Sequence, residues 1–433
     1  MAFGVRSTAI AAALSLPLLV SLSVAPVTAA QPAGPAAKSY IVVLRDGEDA
    51  RQVAHEHANS HALSIDFVYE HALSGYAAAI PANRLSQIQA DTRVLFVSED
   101  RPVQAVAQTL PTGVDRIQGD VSSTLSGNGS GSVTIGVAVI DTGIDLDHPE
   151  LNVAGGVNCS TGRSFNDGNG HGTHVAGTIA AKDDGNGVVG VAPRASLYAV
   201  RVLNNAGSGS FASVACGVDW VTANAASLGI KVANMSLGGS GSDDGNCGNS
   251  NSDALHKAIC NSVAAGVTYV VAAGNSNTDF AGFVPAAYNE VLTVTASADF
   301  NGQPGGAAAA TCRSDVDDTA ADFSNFTIAG SSDVGHTIAG PGVCILSTWK
   351  GGGYNTISGT SMATPHVTGT AALCIAAGRC SGTPTNVISK LRSDAAAQPA
   401  SYGFVGDPNH SISGGGPGGK TLYYGYLVYA GGY

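Results

Sequence analysis

Ser361, His171 and Asp141 are the residues of this sequence whose types and settings could do chemistry together. Ser361 lies in the stretch NTISGTSMATPHVTGTAAL at 355–373. A strand-like run holding Tyr354, Thr356 and Ile357 stops at Ser358, Gly359 and Thr360. The small and apolar residues that follow read as a buried helix reaching about Ile375. Ser361 thus falls at a helix N-terminus, where unpaired backbone N–H groups and the helix dipole favour developing negative charge. A hydroxyl there attacks a carbonyl once a base takes its proton. Alone, Gly-Thr-Ser reads equally well as a loop and a cap. Two upstream residues tip the balance. Asp141 follows the apolar run VTIGVAVI at 133–140, so its carboxylate leaves the C-terminal end of a strand buried on both faces. His171 stands in HGTHVAGT, exposed where a helix opens, with His174 one turn on and packed below. A histidine pair at that spacing also suits a metal, but the pattern offers no definite further ligand. Hydroxyl, imidazole and carboxylate at element ends meet the needs of acyl transfer. Ser361 attacks, His171 takes and returns the proton, and Asp141 holds the imidazole tautomer and supports its charge.

Apolar runs like that before Asp141 recur at 195–202, 231–235 and 267–272. Helical patterns at 171–181, 213–228 and 252–265 lie between them. This alternation predicts an α/β architecture, a doubly wound, mostly parallel sheet whose strand ends carry Gly, Asn, Ser and Asp. Residues 421–429 (TLYYGYLVY) read as a terminal strand or packing arm. Ahead of this part, strands at 40–44, 63–69, 76–80 and 94–98 alternate with helices at 49–62 and 82–90. That βαββαβ order predicts a small ferredoxin-like α+β unit. His55, His57 and His61 lie on its first helix with no acidic residue completing a metalloprotease motif, so they read as a solvated face.

A length of 433 residues accommodates two or three domains, or one large unit with a small companion. Hydrophobic residues are 44% and charged ones 12%, which excludes a disordered chain. A net charge of -12 without any Lys/Arg cluster argues against a nucleic-acid partner. The N-terminus reads as a secretory leader: Arg6 precedes an apolar stretch at 9–24, and Val27-Thr28-Ala29 sets the cut after Ala29 or Ala30. No later stretch is long and apolar enough to span a membrane. Eight cysteines in a secreted chain imply disulfides, though roughly a hundred pairings exist. Pairs near in sequence, Cys247–Cys260, Cys312–Cys344 and Cys374–Cys380, leave Cys159 with Cys216.

Three motifs together resemble those of the subtilisin-like serine peptidases: VIDTGID at 139–145, GHGTHVAGTIA at 170–180 and SGTSMATPHV at 358–367. A fourth, VVAAGN at 270–275, fills the place of that family's oxyanion segment. The chain order Asp, His, Ser is subtilisin's own. The resemblance runs from Tyr40 to the C-terminus and implies a secreted serine endopeptidase made as a zymogen. Residues 1–30 would be the signal peptide, 31–106 an inhibitory propeptide and 107–433 the catalytic domain, with self-cleavage near Val106 and Ala107. The ten-residue gap from Asn275 to Pro285 is similar to that of the proteinase K branch.

By the same resemblance Asn275 is the oxyanion donor, whose loss costs about 10²–10³ in turnover, a figure that comes from subtilisin itself. Ser236, Leu237, Gly238 and Gly239 resemble the strand that pairs with an extended substrate backbone. Ala272, Ala273 and Gly274 would wall the main side-chain pocket, with Phe283 near its floor. No acidic residue matches that lining, so an apolar residue is expected before the cut. Gln108, Glu150 and the loop at 182–188 resemble a family calcium site, with Asp184, Asn186 and Val188 as loop ligands. Thr337 stands where a second calcium site of that branch has an acid. The resemblance thus implies structural Ca2+, no cofactor for the chemistry, protein and peptide substrates, the propeptide as intramolecular inhibitor, and a monomer. Other classes fit less well. An aspartic protease would use Asp141-Thr142-Gly143 but needs a second such motif. An α/β-hydrolase needs Gly-x-Ser-x-Gly, which Gly359-Thr360-Ser361-Met362-Ala363 lacks. A catalytically dead binding protein would not need all of Asp141, His171, Ser361 and Asn275.

Overall fold

The computed structural model describes residues 38–100 and 108–433. The leader and the expected cleavage point near Val106 lie outside the described residues. The chain divides into two compact units, the first ending at Ala105.

The N-terminal unit runs β1 (Lys38–Leu44), α1 (Ala50–His61), β2 (Ile65–Tyr69), β3 (Gly75–Ile80), α2 (Ala82–Gln89) and β4 (Val94–Glu99). Its antiparallel sheet has the order β2-β3-β1-β4, as the βαββαβ pattern predicts. Val42, Tyr76, Ile80 and Ile88 fill the core. The expectation of a solvated histidine face fails at His57, which is only 3% exposed. Its Nε2 donates to Asp91 at 3.0 Å, and Nδ1 accepts from the Tyr76 hydroxyl at 2.6 Å. The helix buries Ala50, Val53, Ala54 and His57, a spacing that sets the histidine on the inner face.

The larger unit begins with α3 (Thr112–Arg116), β5 (Gly136–Asp141), β6 (Val153–Asn158), α4 (His171–Ala180) and β7 (Ser196–Arg201). It continues with α5 (Phe211–Leu228), β8 (Ile230–Met235), β9 (Gly239–Ser240), α6 (Ala254–Ala264), β10 (Thr268–Ala272), β11 (Phe283–Val284) and β12 (Leu292–Ala298). Short strands β13 (Thr319–Ala320) and β14 (Thr327–Ile328) precede β15 (Thr337–Pro341) and the hairpin of β16 (Ile345–Trp349) and β17 (Gly353–Ile357). Then come α7 (Thr360–Ala376), α8 (Pro384–Ala396) and β18 (Leu422–Tyr423). The main sheet has the order β13-β12-β10-β8-β5-β7-β6, with β15 also on β12, and only β13 is antiparallel.

Alternate residues of one strand feed opposite cores, which explains the unbroken apolar runs. Val137 and Val139 pack with α4, α7 and α8, while Ala138 and Ile140 pack with α5 and α6. The chain passes from β5 to the β6–β7 edge and then back across to β8, so the direction of winding reverses beside β5. Such a reversal opens a crevice at the strand C-termini. The C-terminal stretch is mainly a packing arm: Leu422 and Tyr424 enter a small core, and Leu427 bridges to Ala339. The four disulfides are Cys159–Cys216, Cys247–Cys260, Cys312–Cys344 and Cys374–Cys380. Among the described residues no helix is long and apolar enough to cross a membrane.

Arg116 clamps the beginning of this unit to its end. It is 1% exposed and donates to Asp318 Oδ1 at 3.0 and 2.8 Å and to the Tyr402 and Gly403 carbonyls at 2.7 and 2.8 Å. Asp299 Oδ2 lies 3.2 Å from its Nε. Replacing Arg116 by Ala strands two buried carboxylates. Urea unfolding should show a loss of about 3–5 kcal/mol; unchanged stability would contradict this account of the clamp.

Candidate active site

The end of β5 delivers Asp141 fully buried. Its Oδ1 accepts from the Thr142 backbone N–H at 2.7 Å and from His171 Nδ1 at 2.8 Å. That contact puts a proton on Nδ1 and leaves Nε2 as the basic nitrogen. The His171 side chain is 26% exposed, so this nitrogen is reachable. Burial disfavours the imidazolium. The Asp141 charge, its hydrogen bond and nearby Asp167 outweigh burial and raise the His171 pKa above its ordinary value.

His171 is the first residue of α4, and the helix approaches Asp141 closely because of Gly172. A Cβ there would stand 2.1 Å from the Gly143 carbonyl and 3.2 Å from Asp141 Cβ. Asp167, 5% exposed, fixes the approach. Its Oδ2 accepts from Thr173 N and Oγ1 at 3.0 and 2.6 Å, and its Oδ1 accepts from Thr142 Oγ1 at 2.9 Å. Thr142 Oγ1 in turn accepts from Gly172 N at 2.9 Å. Asp167 is not among the candidates that sequence motifs single out, although an acid just ahead of a helix start is a capping signal. His174 faces elsewhere: Nε2 donates to the Ile345 and Asn355 carbonyls at 2.9 and 3.2 Å. Burial pushes its pKa down to about 3, so it is a neutral packing residue rather than a metal partner of His171.

Ser361 occupies the first turn of α7. Pro365 has no N–H, so the Ser361 carbonyl four residues earlier lacks its helical donor. Ser236 Oγ donates there instead, at 2.8 Å. Ser361 Oγ donates to the Ser236 carbonyl at 3.3 Å, so helix start and β8 end are tied in both directions. Asn275 is exposed just past β10. Its Oδ1 accepts from Thr360 N and Oγ1, both at 2.8 Å. Two donors on one side fix the amide, and Nδ2 must face the other way. Asn325 braces the same loop, donating to the Ala273 carbonyl at 2.8 Å and accepting from Ser276 N at 2.9 Å. Both Asn325 and Asn234, which lie in glycosylation-type triplets, are buried.

A cleft of about 620 Å³ is lined on one side by Ser236, Leu237, Gly238 and Gly239 and on another by Leu203 and residues 207–211. His171 and Thr142 lie at its edge, and none of its lining residues is acidic. The wall at 207–211 was not read from the sequence, where it is a Gly/Ser turn before a helix. Phe283 packs against both Gly238 and Gly274: added Cβ atoms would lie 2.4 and 3.1 Å from its ring. Ala273 is turned into the core behind, and Ala272 is 3% exposed.

The expected metal ligands divide. Gln108 donates to the Lys182 and Val188 carbonyls at 2.7 and 3.3 Å, while its Oε1 is buried without a partner. Glu150 Oε2 is likewise buried and unpartnered. Burial, with Asp184 nearby, pushes the Glu150 pKa up to about 6. These orphaned oxygens beside the Val188 carbonyl suit a hard cation. Asp184 and Asn186 are exposed and bonded to one another, Asn186 N to Asp184 Oδ1 at 3.2 Å. Asp183 instead organises another loop through Gly127, Gly129 and Gly131 N–H groups.

Residues 132–409 match the model of the Subtilase family, and residues 39–105 match that of the Peptidase inhibitor I9 segment. The chain belongs to the subtilase family. It is 40% identical to the alkaline protease of Shouchella clausii over 287 residues, 66% of this chain and 65% of that protein. Subtilisin DY of Bacillus licheniformis is 40% identical over 276 residues, 62% of this chain and 85% of its own. Just under two thirds of the alkaline protease's length is thus spanned by the match. The crystal structure of a cold adapted subtilisin-like serine proteinase matches with a TM-score of 0.54 and 31% identity, covering 76% of this chain and 99% of its own.

Glu150 gives a sign-definite prediction for the cation-free protein. Its pKa is raised from an ordinary 4.5 to about 6, so its contribution to stability is complete below the lower value and lost as pH rises through the upper. In chelator, the melting temperature of the Ser361→Ala chain should fall across that window. In Ser361→Ala/Glu150→Gln the fall should be smaller, what remains coming from groups such as Asp299, which burial pushes up to about 7; the same fall in both chains would contradict the assignment.

Proposed function

We propose that this chain is a secreted serine endopeptidase, made as a zymogen, that cuts proteins after apolar residues. The observation that carries the reading is the 2.8 Å bond from His171 to buried Asp141, with Ser361 at a helix start against the cleft strand. Ser361 Oγ turns from the Ser236 carbonyl to His171 Nε2 when a substrate carbonyl arrives. His171 takes its proton as Oγ bonds to that carbonyl carbon, then passes it to the leaving amine. Asp141 holds the tautomer and stabilises the imidazolium. Asn275 Nδ2 and the Ser361 N–H donate to the tetrahedral oxyanion. Water then repeats the sequence on the acyl-enzyme.

Ser236, Leu237, Gly238 and Gly239 serve as the substrate-pairing strand, and Gly274 and Phe283 shape the side-chain pocket, with Ala272 contributing backbone and the Ala273 side chain lying in the core behind it. The uncharged character of Ala272, Ala273, Gly274 and Phe283 supports an apolar preference. Residues 1–30 act as the leader, 31–106 as the intramolecular inhibitor and 107–433 as the enzyme. The apolar leader and four disulfides support export. The Asn275–Pro285 gap favours the proteinase K branch. Gln108, Glu150 and the Val188 carbonyl would hold calcium, with Asp184 and Asn186 as the further oxygen donors of the same loop. The buried oxygens of Gln108 and Glu150 would gain in such a cation the partner they lack; the chemistry needs no cofactor.

Wild-type chain and Ser361→Ala are to be compared for N-terminus formation near Ala107, casein turnover and peptide-library cleavage. Wild type should process itself and cut after apolar residues, while the variant stays full-length and inert. Equal processing without casein turnover would overturn the peptidase reading. A dominant Arg or Lys preference would overturn the pocket assignment.

A further inference from the structure

Away from the cleft, α6 buries His256 completely. Its ring lies flat on Tyr288, with centroids 4.0 Å apart and planes at 2°. Nε2 contacts Glu290 Oε2 at 2.9 Å, which draws the ring proton to that nitrogen. Nδ1 is buried and has no hydrogen-bond partner. It faces Asp244 Oδ1 at 3.4 Å and Asp243 Oδ1 at 3.5 Å. These separations are long for an N–H···O bond. They match the spacing of two ligands on one tetrahedral zinc, about 3.4 Å for bonds of about 2.1 Å.

The surroundings resemble an outer shell. Asp244 Oδ1 accepts from the Asn246 and Gly248 N–H groups and its Oδ2 from those of Ser250 and Asn251, while Asp243 Oδ1 accepts from Gly245 N and its Oδ2 from the Asn289 amide, so both carboxylates are held facing the ring. An imidazole that gives its second N–H to a carboxylate is the arrangement that orients a metal-binding histidine. Cys247 and Cys260 are joined to each other and supply no thiolate. One imidazole nitrogen with two carboxylate oxygens suits a borderline-soft cation better than calcium, which prefers a full oxygen shell.

We propose that Asp243, Asp244 and His256 Nδ1 bind a divalent transition cation of zinc's class, with Glu290 as the outer partner of His256 and water completing the shell. The site joins the segment after β9, the helix α6 and the segment after β11. β9 and β11 pair through Gly239 and Val284, next to Gly238 and Phe283. On the peptidase reading above, the cation therefore braces the substrate wall from behind without touching substrate. The competing arrangement is an imidazolium bridging Glu290 and the two aspartates with no metal.

The test uses the full chain carrying Ser361→Ala, stripped with chelator, resupplied with excess calcium and titrated with Co2+. One equivalent should give the visible bands of a low-symmetry N/O site and be displaced by Zn2+. His256→Gln and Asp243→Asn should abolish the spectrum, and Glu290→Gln should weaken binding about 10–100-fold. Circular dichroism verifies that each variant is folded. No stoichiometric spectrum, the same spectrum in folded His256→Gln, or protons on both His256 nitrogens in the presence of zinc would each overturn the proposal. Binding is read without turnover, so its failure leaves the peptidase reading intact.

Discussion

A carboxylate with no contact with water has to be held by groups that cannot retreat, and Asp141 sets that requirement for the whole site. It is fully buried at the end of β5, and one of its oxygens holds both the Thr142 N–H and His171. Burying such a charge without partners would cost several kcal/mol. Strand and helix must therefore meet here to within a few tenths of an ångström. Gly172 removes the side chain that would keep them apart, and Asp167 bonds both the loop and the first turn of α4. The polar chain Asp141–His171 and Thr142–Asp167–Thr173 is one connected object.

The rest of the site is built on the same plan, with backbone ends paired by side chains from another element. Pro365 frees the Ser361 carbonyl, and Ser236 takes it. Thr360 locks the Asn275 amide, and Asn325 braces the strand behind it. On the proposed reading the donors are thereby aimed before substrate arrives, so little reorganisation is needed when charge develops. Each brace links residues far apart in sequence, so the site exists only when the parallel sheet is complete.

Sequence carried the parts that are local. Continuous apolar runs marked β5, β7, β8 and β10, and the Gly/Ser-rich motifs marked the loops at their ends. β12 escaped because LTVTASA mixes Thr and Ser into a strand buried throughout. Thr293 and Thr295 sit there because their hydroxyls reach the Ala286 and Tyr424 carbonyls, contacts the sequence does not display. α8 was legible, with Thr383 as cap and Pro384 at its first position, and was overlooked. His57 and His256 were misread or unread for one reason. A histidine's setting depends on what packs on it, and Asp91 and Glu290 are 34 residues away in each case. The cleft wall at 207–211 likewise becomes a wall only when it folds opposite Gly238.

On the proposed reading, buried Asp141 works by fixing His171 and supporting its charge. The direct measurement is steady-state kinetics of the processed enzyme with Asp141→Asn, an isosteric change that removes the charge and favours the wrong imidazole tautomer. The account predicts a fall in kcat on the order of 10⁴-fold with KM little changed and the fold intact. A folded variant retaining kcat within about tenfold of wild type would contradict it, because the fall expected of a working triad is far larger.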